Sequence, residues 1–540
     1  MHFFFTKNKY FLFLLIIFII CEIIVNPIGE FPLNDDWAYS KSVSFAIHGV
    51  YTIGDFGAMT LFTHLLWGTI FTKIFGFSFT VLRFSTLISS LIGLFFLNKL
   101  IVKISNNLWL GFFSCLVLLF NPLYFSLTNT YMTDVNFTTL LILSCYCAFV
   151  FFDTKKEIYI YYFLLLSIGL VLIRQFGIIL PICFFVSCIT LKEKRKRYLI
   201  ISFIVIVITL GVLKFYESIL KHSLSYGAAY TFSGSIDLLS YAFWENFFVN
   251  IAGRYKVILV HIFIYGFPLA IIYLASIIRS VNKIYAFTVS IICIFGCYFL
   301  LQGNIFPFHN MFTNMCIGPE TFHESNGHTR STDFATLCDI VKYVFSSFTF
   351  IVLILFLSSK IKLGKAAFKF EPEVLFLVLL LGMYIFMILI TQKDVYFDRY
   401  HLPIIALIFI LFSFMNKTFK AKYSISVLIL FCFFYLSVFG TKDYLTLNRN
   451  RWDAYYFIKD RAKVDAEKIN GGFEVNCWND GKNNWWADYG NLQNYDYLIQ
   501  FNEEKSFKTL REYEFQRYFP FKKDTIRLLM RVDTAKTATN

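Results

Sequence analysis

Long apolar runs recur throughout the first 440 residues of this 540-residue chain. Most are near 20 residues, the length of α-helix that crosses the hydrocarbon core of a bilayer. Short polar or basic loops separate them, so the pattern predicts an all-α polytopic membrane protein with about 13 transmembrane helices. The apolar stretch 60–76 is short enough to lie at the membrane interface instead. The predicted spans are 10–28, 79–104, 108–125, 135–152, 158–173, 175–191, 198–215, 257–278, 284–302, 338–358, 373–391, 401–415 and 422–440.

The composition excludes a soluble globular protein. Hydrophobic residues make up 57% of the chain and include 69 Phe, which is more apolar surface than one protein interior can hide. The net charge of +14 does not indicate a nucleic-acid partner, because the last hundred residues hold 17 Lys and Arg against 15 Asp and Glu. The remaining positive charge lies between the apolar runs, where membrane proteins collect it in cytoplasmic loops.

The basic loops alternate with longer loops that are poor in Lys and Arg, as the positive-inside rule requires. With the N-terminus inside, the inner loops include the basic run 192–197. Lys7 and Lys9 precede an apolar run that has no small-residue cleavage site after it, so we expect an uncleaved first span. The pattern therefore predicts a multi-pass protein of the bacterial inner membrane with a cytoplasmic N-terminus. Its long outer loops are 29–78, 216–256 and 303–337.

The last hundred residues differ in character from the rest. Residues 441–540 are polar and follow the last predicted span, so they would lie outside the cell. The runs 497–501 and 525–532 have the pattern of strands, and 452–462 that of a helix. We predict a transmembrane domain at 1–440 and a small extracytoplasmic α/β domain at 441–540, the latter without a catalytic motif.

The first outer loop carries two adjacent carboxylates directly after a span. Asp35 and Asp36 lie in the run Asn-Asp-Asp-Trp-Ala-Tyr, which ends at Tyr39. Adjacent acids raise one another's pKa and suit a general base or a metal ligand. The same residues would also cap a helix N-terminus well. We take Asp35 and Asp36 as catalytic candidates and Tyr39 as a substrate contact, with helix capping as the alternative.

The second outer loop and the next outer turn place further charges near the same face. Asp134 begins a span, where N-capping is again the alternative to a catalytic role. Arg174 and Gln175 interrupt an apolar stretch, and a charge at mid-membrane costs about 2.5–3.5 kcal/mol on insertion scales. Arg174 is therefore either a solvent-exposed residue in a short turn or a contact for an anionic donor. We take Gln175 as a polar substrate contact.

Two later outer segments add candidates. Asp398 and Arg399 precede the twelfth span. Arg399 either anchors the chain at the membrane interface, paired with Asp398, or binds phosphate through two parallel hydrogen bonds. The loop 303–337 contains His309 and Asn310, which could contact substrate in a Gly- and Pro-bearing loop. Its histidines His309, His323 and His328 match no metal-binding spacing, so a divalent metal ion stays an open alternative rather than an assigned cofactor.

Topology limits the chemistry that these residues could perform. Nucleotide sugars are made inside the cell, so an outward-facing transferase must take its sugar from a carrier that crosses the bilayer. A polyprenyl phosphate fits, because its tail lies in lipid and its phosphate at the interface. Transfer needs a carboxylate that takes a proton from an acceptor hydroxyl and cations that hold the leaving phosphate.

Four short stretches resemble the GT-C superfamily of integral-membrane glycosyltransferases, in particular bacterial relatives of protein O-mannosyltransferase and lipid A aminoarabinose transferase. They are 35–36, 74–83, 131–134 and 398–403. The resemblance implies about 13 spans with an outer C-terminal domain. It also implies inverting transfer from a polyprenyl-phosphate sugar, with Asp35 or Asp36 as the base; we favour Asp36. Residues 57–64 lack the proline-rich step of many relatives, so no donor or metal contact is carried over from it.

Two other functions are compatible with such a chain. A transporter or flippase of lipid-linked sugars would show internal repeats and broken helices near the midplane, and no convincing repeat is present. A glycan polymerase or ligase would act on the same face but transfer oligosaccharides. The sequence names neither the sugar nor the acceptor, which could be a glycan, a lipid or a protein.

Overall fold

The computed structural model describes most of the chain as helices. It describes residues 2–54, 59–220, 225–226, 241–303, 305–308, 332–362, 371–390, 396–417, 420–479, 492–518 and 521–532. The α-helices are α1 His2–Val25, α2 Asp36–Ile47, α3 Phe62–Phe75, α4 Phe79–Ser105, α5 Leu108–Leu119, α6 Pro122–Thr128, α7 Thr133–Thr154, α8 Ile158–Val171, α9 Ile179–Cys188, α10 Arg195–Phe215, α11 Tyr241–Ser280, α12 Lys283–Leu300, α13 Thr332–Lys362, α14 Pro372–Leu389, α15 Leu402–Ser413, α16 Ser424–Tyr456 and α17 Phe473–Asn479.

Helices occupy every predicted span at least in part. Among the described residues, eight helices are long and apolar enough to cross a membrane, or nine if the bent pair α5–α6 is one span. An all-α polytopic membrane fold is thereby confirmed, whereas the count of 13 stays a prediction. The outward face of α12 supports the membrane setting: Phe287, Ile292 and Phe299 are each more than 60% exposed, which suits contact with lipid rather than with water.

The predicted span 108–125 is in fact two helices that meet at an angle of 72°. The break lies at Asn121 and Pro122. Proline cannot donate the backbone hydrogen bond that would continue α5. Asn121 Oδ1 accepts hydrogen bonds from the backbone N–H groups of Leu123 and Tyr124 at 3.0 and 3.1 Å, so α6 begins as a newly capped helix.

The helices pack around a continuous apolar core. Helix α7 packs against α4 and α8, and α11 packs against α13, α15 and α16. One cluster of buried side chains extends from Leu14 in α1 to Ile499 and Ile526 near the end of the chain. The C-terminal segment is therefore packed on the bundle rather than tethered to it.

The C-terminal segment forms a four-stranded sheet next to α16. Its strands are β3 Ile469–Asn470, β4 Tyr497–Gln500, β5 Phe507–Tyr518 and β6 Phe521–Arg531, in the order β3-β4-β6-β5. Strands β5 and β6 form an antiparallel hairpin with an irregularity between Thr509 and Arg511. A further short parallel pair joins Ile53–Gly54 (β1) to Ser225–Tyr226 (β2).

Helix α16 links the bundle to this sheet without a break. It begins inside the last predicted span and continues to Tyr456, so it includes the start of the helix predicted at 452–462. Both carboxylate oxygens of Asp443 accept the backbone N–H of Tyr518 at the end of β5, at 3.0 and 2.9 Å. The strands predicted at 497–501 and 525–532 correspond to β4 and to the second half of β6, and β5 was not predicted. The division into two domains at residue 441 stays a prediction.

Candidate active site

Asp36 is fixed by backbone groups from two segments that lie far apart in the sequence. Its Oδ1 accepts the N–H of Leu33 at 2.5 Å, and its Oδ2 accepts the N–H of Tyr131 at 3.1 Å. The residue is 1% exposed. It is the first residue of α2, but its two carboxylate oxygens accept N–H groups that lie outside that helix. Asp36 therefore joins the segments that precede α2 and α7 instead of acting as a simple cap.

Asp35 forms an ion pair with a residue 364 positions later in the chain. Arg399 Nη1 donates to Asp35 Oδ2 at 2.9 Å, and both side chains are largely buried. Although Asp35 occupies the N-cap position of α2, its side chain makes no capping hydrogen bond. The two adjacent acids thus have different partners: backbone N–H groups for Asp36 and an arginine for Asp35.

Asp134 forms a second buried ion pair. Arg174 Nη2 donates to Asp134 Oδ1 at 2.7 Å and to the hydroxyl of Thr133 at 2.7 Å, and Arg174 Nε donates to the same hydroxyl at 3.2 Å. Arg174 is 5% exposed and Asp134 1% exposed. Arg174 is therefore not a solvated turn residue, and Asp134, within the first turn of α7, makes an ion pair rather than a cap.

Tyr400 brings the two ion pairs into one cluster. The guanidinium carbon of Arg174 lies 5.0 Å from the centre of the Tyr400 ring, and that of Arg399 lies 5.7 Å from it. A cation over an aromatic face is attracted by the ring's quadrupole. We call Asp35, Asp134, Arg174, Arg399 and Tyr400 the acid–arginine cluster.

The cluster contains polar atoms that the described part of the protein does not satisfy. Asp134 Oδ2 and Arg399 Nε are buried and have no hydrogen-bond partner there. Such atoms are costly to leave unpaired. They offer an acceptor and a donor, which a polar ligand could pair with.

Burial changes the proton affinity of both acids in the first loop. Burial raises the pKa of Asp36 to about 7, although the charge of Arg83 and the N–H groups of Tyr131 and Leu33 oppose the rise. Burial also raises the pKa of Asp35, against the neighbouring Arg399 guanidinium. A carboxylate with a pKa near neutrality is well matched to general base catalysis.

Comparison with known proteins identifies a family over part of this site. The family model for dolichyl-phosphate-mannose-protein mannosyltransferase matches residues 62–216. The match includes Asp134 and Arg174 but neither Asp35 nor Arg399. The predicted resemblance to the GT-C superfamily is confirmed. No curated protein sequence shows significant similarity to the chain.

Two crystal structures of ArnT from Cupriavidus metallidurans align with this GT-C-like chain. The structure bound to undecaprenyl phosphate has 10% sequence identity and a TM-score of 0.40, over 97% of this chain and 98% of ArnT. The apo structure has 11% identity and a TM-score of 0.39, over 95% and 97% of the two chains.

The structure describes two of the remaining predicted site residues, Tyr39 and Gln175. Tyr39 is buried on α2, with its ring 5.6 Å from the ring of His64. Gln175 follows Arg174 and begins the 3₁₀ helix Gln175–Ile178. His309 and Asn310 lie outside the described residues. Within the described ranges, no group of three His, Cys, Asp or Glu side chains could hold a metal ion.

His64 supports Asp36 through Tyr131, a role that the sequence did not indicate. His64 Nε2 lies 3.3 Å from the carbonyl oxygen of Tyr131, and Asn136 Nδ2 lies 2.8 Å from His64 Nδ1. Both contacts are hydrogen bonds if the ring proton is on Nε2. The Tyr131 hydroxyl in turn donates to the His64 carbonyl at 2.8 Å. A Cβ on Gly68 would lie 2.0 Å from that hydroxyl, so glycine is required there.

Arg83 is a second residue that the sequence gave no reason to select. It is 1% exposed and donates to the carbonyl oxygens of Pro27, Gly29 and Phe31. These bonds hold the chain as it leaves α1 and place a positive charge near Asp36. Arg83 lies in the stretch 74–83, which the resemblance had related only to the entry of a span.

Proposed function

We propose that this protein is a glycosyltransferase that moves a sugar from a polyprenyl-phosphate donor to an acceptor on the extracytoplasmic side of the bacterial inner membrane, with inversion at the anomeric carbon. The observation that carries the proposal is the acid–arginine cluster, in which two carboxylates and two arginines from four separate segments meet in a buried site. The family match over residues 62–216 supports sugar transfer from a lipid phosphate. The distribution of Lys and Arg between loops supports the sidedness.

The two arginines suit the phosphate of the donor. A guanidinium presents a planar fork that binds phosphate oxygens in pairs. Arg174 and Arg399 face the same Tyr400 ring, so both could approach one phosphate. Their carboxylate partners hold them in place when no donor is bound. As the sugar leaves, they would stabilise the negative charge that develops on the phosphate.

Asp36 suits the acceptor side of the reaction. In the proposed step Asp36 takes the proton of an acceptor hydroxyl, and the acceptor oxygen forms a bond to the anomeric carbon. The bond from that carbon to the phosphate oxygen breaks, and the polyprenyl phosphate leaves with the electron pair. A single displacement of this kind inverts the anomeric configuration. The pKa of about 7 for Asp36 supports its role as base.

The other predicted residues would support the reaction by orienting charged groups or by contacting substrate. Asp35 and Asp134 would orient the arginines and the acceptor, and Tyr39, Gln175, His309 and Asn310 would contact substrate. A divalent metal ion could assist at the donor phosphate. The acceptor could be a glycan, a lipid or a protein, and no nucleic acid takes part.

Reconstitution of the full chain tests the proposal. The purified protein in lipid nanodiscs would be incubated with a panel of undecaprenyl-phosphate-linked hexoses and pentoses and with envelope extract as acceptor. We expect release of free undecaprenyl phosphate from one donor and appearance of its sugar on an acceptor. Movement of intact donor across proteoliposome membranes without release would instead indicate a flippase. Transfer only from oligosaccharide donors would indicate a polymerase or ligase.

A further inference from the structure

Glu474 is a buried carboxylate that reaches the candidate site from the C-terminal segment. It lies in the first turn of α17 and is 1% exposed. Its Oε1 accepts the backbone N–H of Asn34 at 3.2 Å, across a sequence separation of 440 residues. Asn34 immediately precedes Asp35 and Asp36, so this contact is made directly beside the proposed base.

Two side chains of α16 hold the Glu474 carboxylate in place. Arg451 Nη2 donates to Oε2 at 2.6 Å, and the Tyr444 hydroxyl donates to Oε1 at 3.2 Å. The Arg451 guanidinium also donates to Asn448 Oδ1 at 2.6 Å. A buried charge is tolerated when it is paired and hydrogen-bonded. These contacts therefore hold the Glu474 carboxylate where it accepts the N–H of Asn34.

The backbone at Asn34 has a conformation that needs such support. Its φ of 56° lies in the left-handed region, which residues other than glycine seldom adopt and asparagine tolerates best among them. The next turn is tight, because the N–H of Asp36 donates to the Leu33 carbonyl at 3.2 Å while the N–H of Leu33 donates to Asp36 Oδ1. A shift at Asn34 would therefore be transmitted to the acids.

Helix α17 also packs on α2, which carries Asp36. Trp37 and Ala38 form a small buried cluster with Cys477. Lys41 Nζ donates to the Cys477 carbonyl at 2.9 Å. The relative position of α2 and α17 is thus set at several points, and Glu474 adds a contact with Asn34 in the turn that precedes α2.

We infer that Glu474 is a positioning residue for sugar transfer: held by Arg451 and Tyr444, it fixes the turn at Asn34 that places Asp35 and Asp36. This inference rests on the proposed function and deepens it, since it gives the C-terminal segment a part in the reaction. A displacement of about 1 Å at a reacting group can lower a rate by about 100-fold. Glu474 acts on the reaction through Asn34 and need not contact substrate.

Glu474 also acts on the first-loop acids through its charge. Burial raises the pKa of both Asp35 and Asp36, and the Glu474 carboxylate adds to that rise. Arg83 opposes it at Asp36, and Arg399 opposes it at Asp35, where Asp134 adds to it. Removing the Glu474 charge should therefore lower both pKa values, so that the proposed base loses its proton at a lower pH.

Two substitutions separate the geometric effect from the charge effect. Glu474→Asp keeps the charge but shortens the side chain, so it cannot reach both Asn34 and Arg451. Glu474→Gln keeps the length and an acceptor oxygen for the Asn34 N–H, but removes the charge that pairs with Arg451. Asp524→Asn is the matched control, since Asp524 pairs with the buried Arg517 at 3.0 Å within the C-terminal sheet. Each full-length variant would be reconstituted in nanodiscs with the undecaprenyl-phosphate sugar that the wild type consumes.

We expect Glu474→Asp to lower kcat by about 100-fold with the acid limb of the pH–rate profile unmoved. Glu474→Gln should move that limb to lower pH, and Asp524→Asn should change neither quantity. Normal kcat and an unmoved limb in both Glu474 variants, with an active wild type, would overturn the inference alone. So would a loss that disappears when rates are expressed per folded molecule, because Glu474 would then act on stability only. A wild type that is inactive with every donor would refute the proposed function itself.

Discussion

Replacing Asp36 by asparagine removes the proposed base while keeping nearly the same side-chain volume. Asparagine cannot take up the acceptor proton, and a positioned general base contributes about 10²–10⁴-fold to a rate. We therefore expect kcat for sugar transfer to fall by about that factor. The KM for the lipid donor should change little, because the donor phosphate is assigned to Arg174 and Arg399.

The structure also gives the effect of this substitution on stability. Both oxygens of Asp36 accept buried backbone N–H groups, from Leu33 and Tyr131. In Asp36→Asn the amide NH₂ would face one of these donors and leave it unpaired. A buried unpaired donor costs about 1–3 kcal/mol. Since native proteins have about 5–15 kcal/mol of stability, most of the variant should remain folded at 25 °C, and unfolding cannot account for a large loss of activity.

The assay is release of undecaprenyl phosphate by the reconstituted protein, with thermal unfolding measured on the same samples. Glu30→Gln is the matched control. Glu30 lies in the same loop and accepts the N–H of Phe79 at 3.1 Å and the Thr80 hydroxyl at 2.9 Å, outside the acid–arginine cluster. It should keep near wild-type activity. Folded Asp36→Asn with kcat within roughly tenfold of the wild type would refute the assignment of Asp36 as base.

Three other perturbations test the surrounding groups. Asp134→Ala leaves the buried Arg174 charge without its carboxylate partner, so the free energy of unfolding, measured by chemical denaturation, should fall by about 3–5 kcal/mol. Adding Arg174→Met should recover part of this loss. A double variant that is no more stable than Asp134→Ala would contradict the reasoning. Tyr400→Leu removes the ring that faces two guanidiniums. Since one desolvated cation–π contact is worth about 2 kcal/mol, the KM for the donor should rise by about 30-fold. An unchanged KM would contradict donor binding at the acid–arginine cluster. Arg83→Gln removes the charge that lowers the pKa of Asp36. The acid limb of the pH–rate profile, expected near pH 7 in the wild type, should therefore move to higher pH. A limb that stays in place or moves to lower pH would contradict this role of Arg83.

The membrane fold could be predicted because apolar length and loop charge are local properties of the sequence. Each predicted span is helical at least in part. The break at Pro122 was missed because hydropathy averages over it, although an Asn-Pro pair before a new helix is a recognisable signal. Strand β5 was missed because charged residues such as Arg511, Glu512 and Glu514 interrupt its apolar alternation.

The candidate residues could be selected from sequence, but their pairing could not. Asp35 and Arg399 were chosen separately, and their ion pair spans 364 residues of chain. Glu474 was not selected at all, because its proposed role depends on a contact with the backbone of Asn34, which is 440 residues earlier in the chain. Backbone contacts of this kind leave no motif in one sequence. Arg83 and His64 were overlooked for a related reason, since each supports the site through main-chain carbonyl groups.

The most direct test of the central claim is mass spectrometry of the polyprenyl-phosphate sugar pool and the envelope glycans in a strain that lacks this protein. We predict that one lipid-linked sugar accumulates while the same sugar disappears from the envelope, and that the wild-type chain reverses both changes whereas Asp36→Asn reverses neither. An unchanged lipid pool together with a complete set of envelope sugars would contradict sugar transfer by this protein.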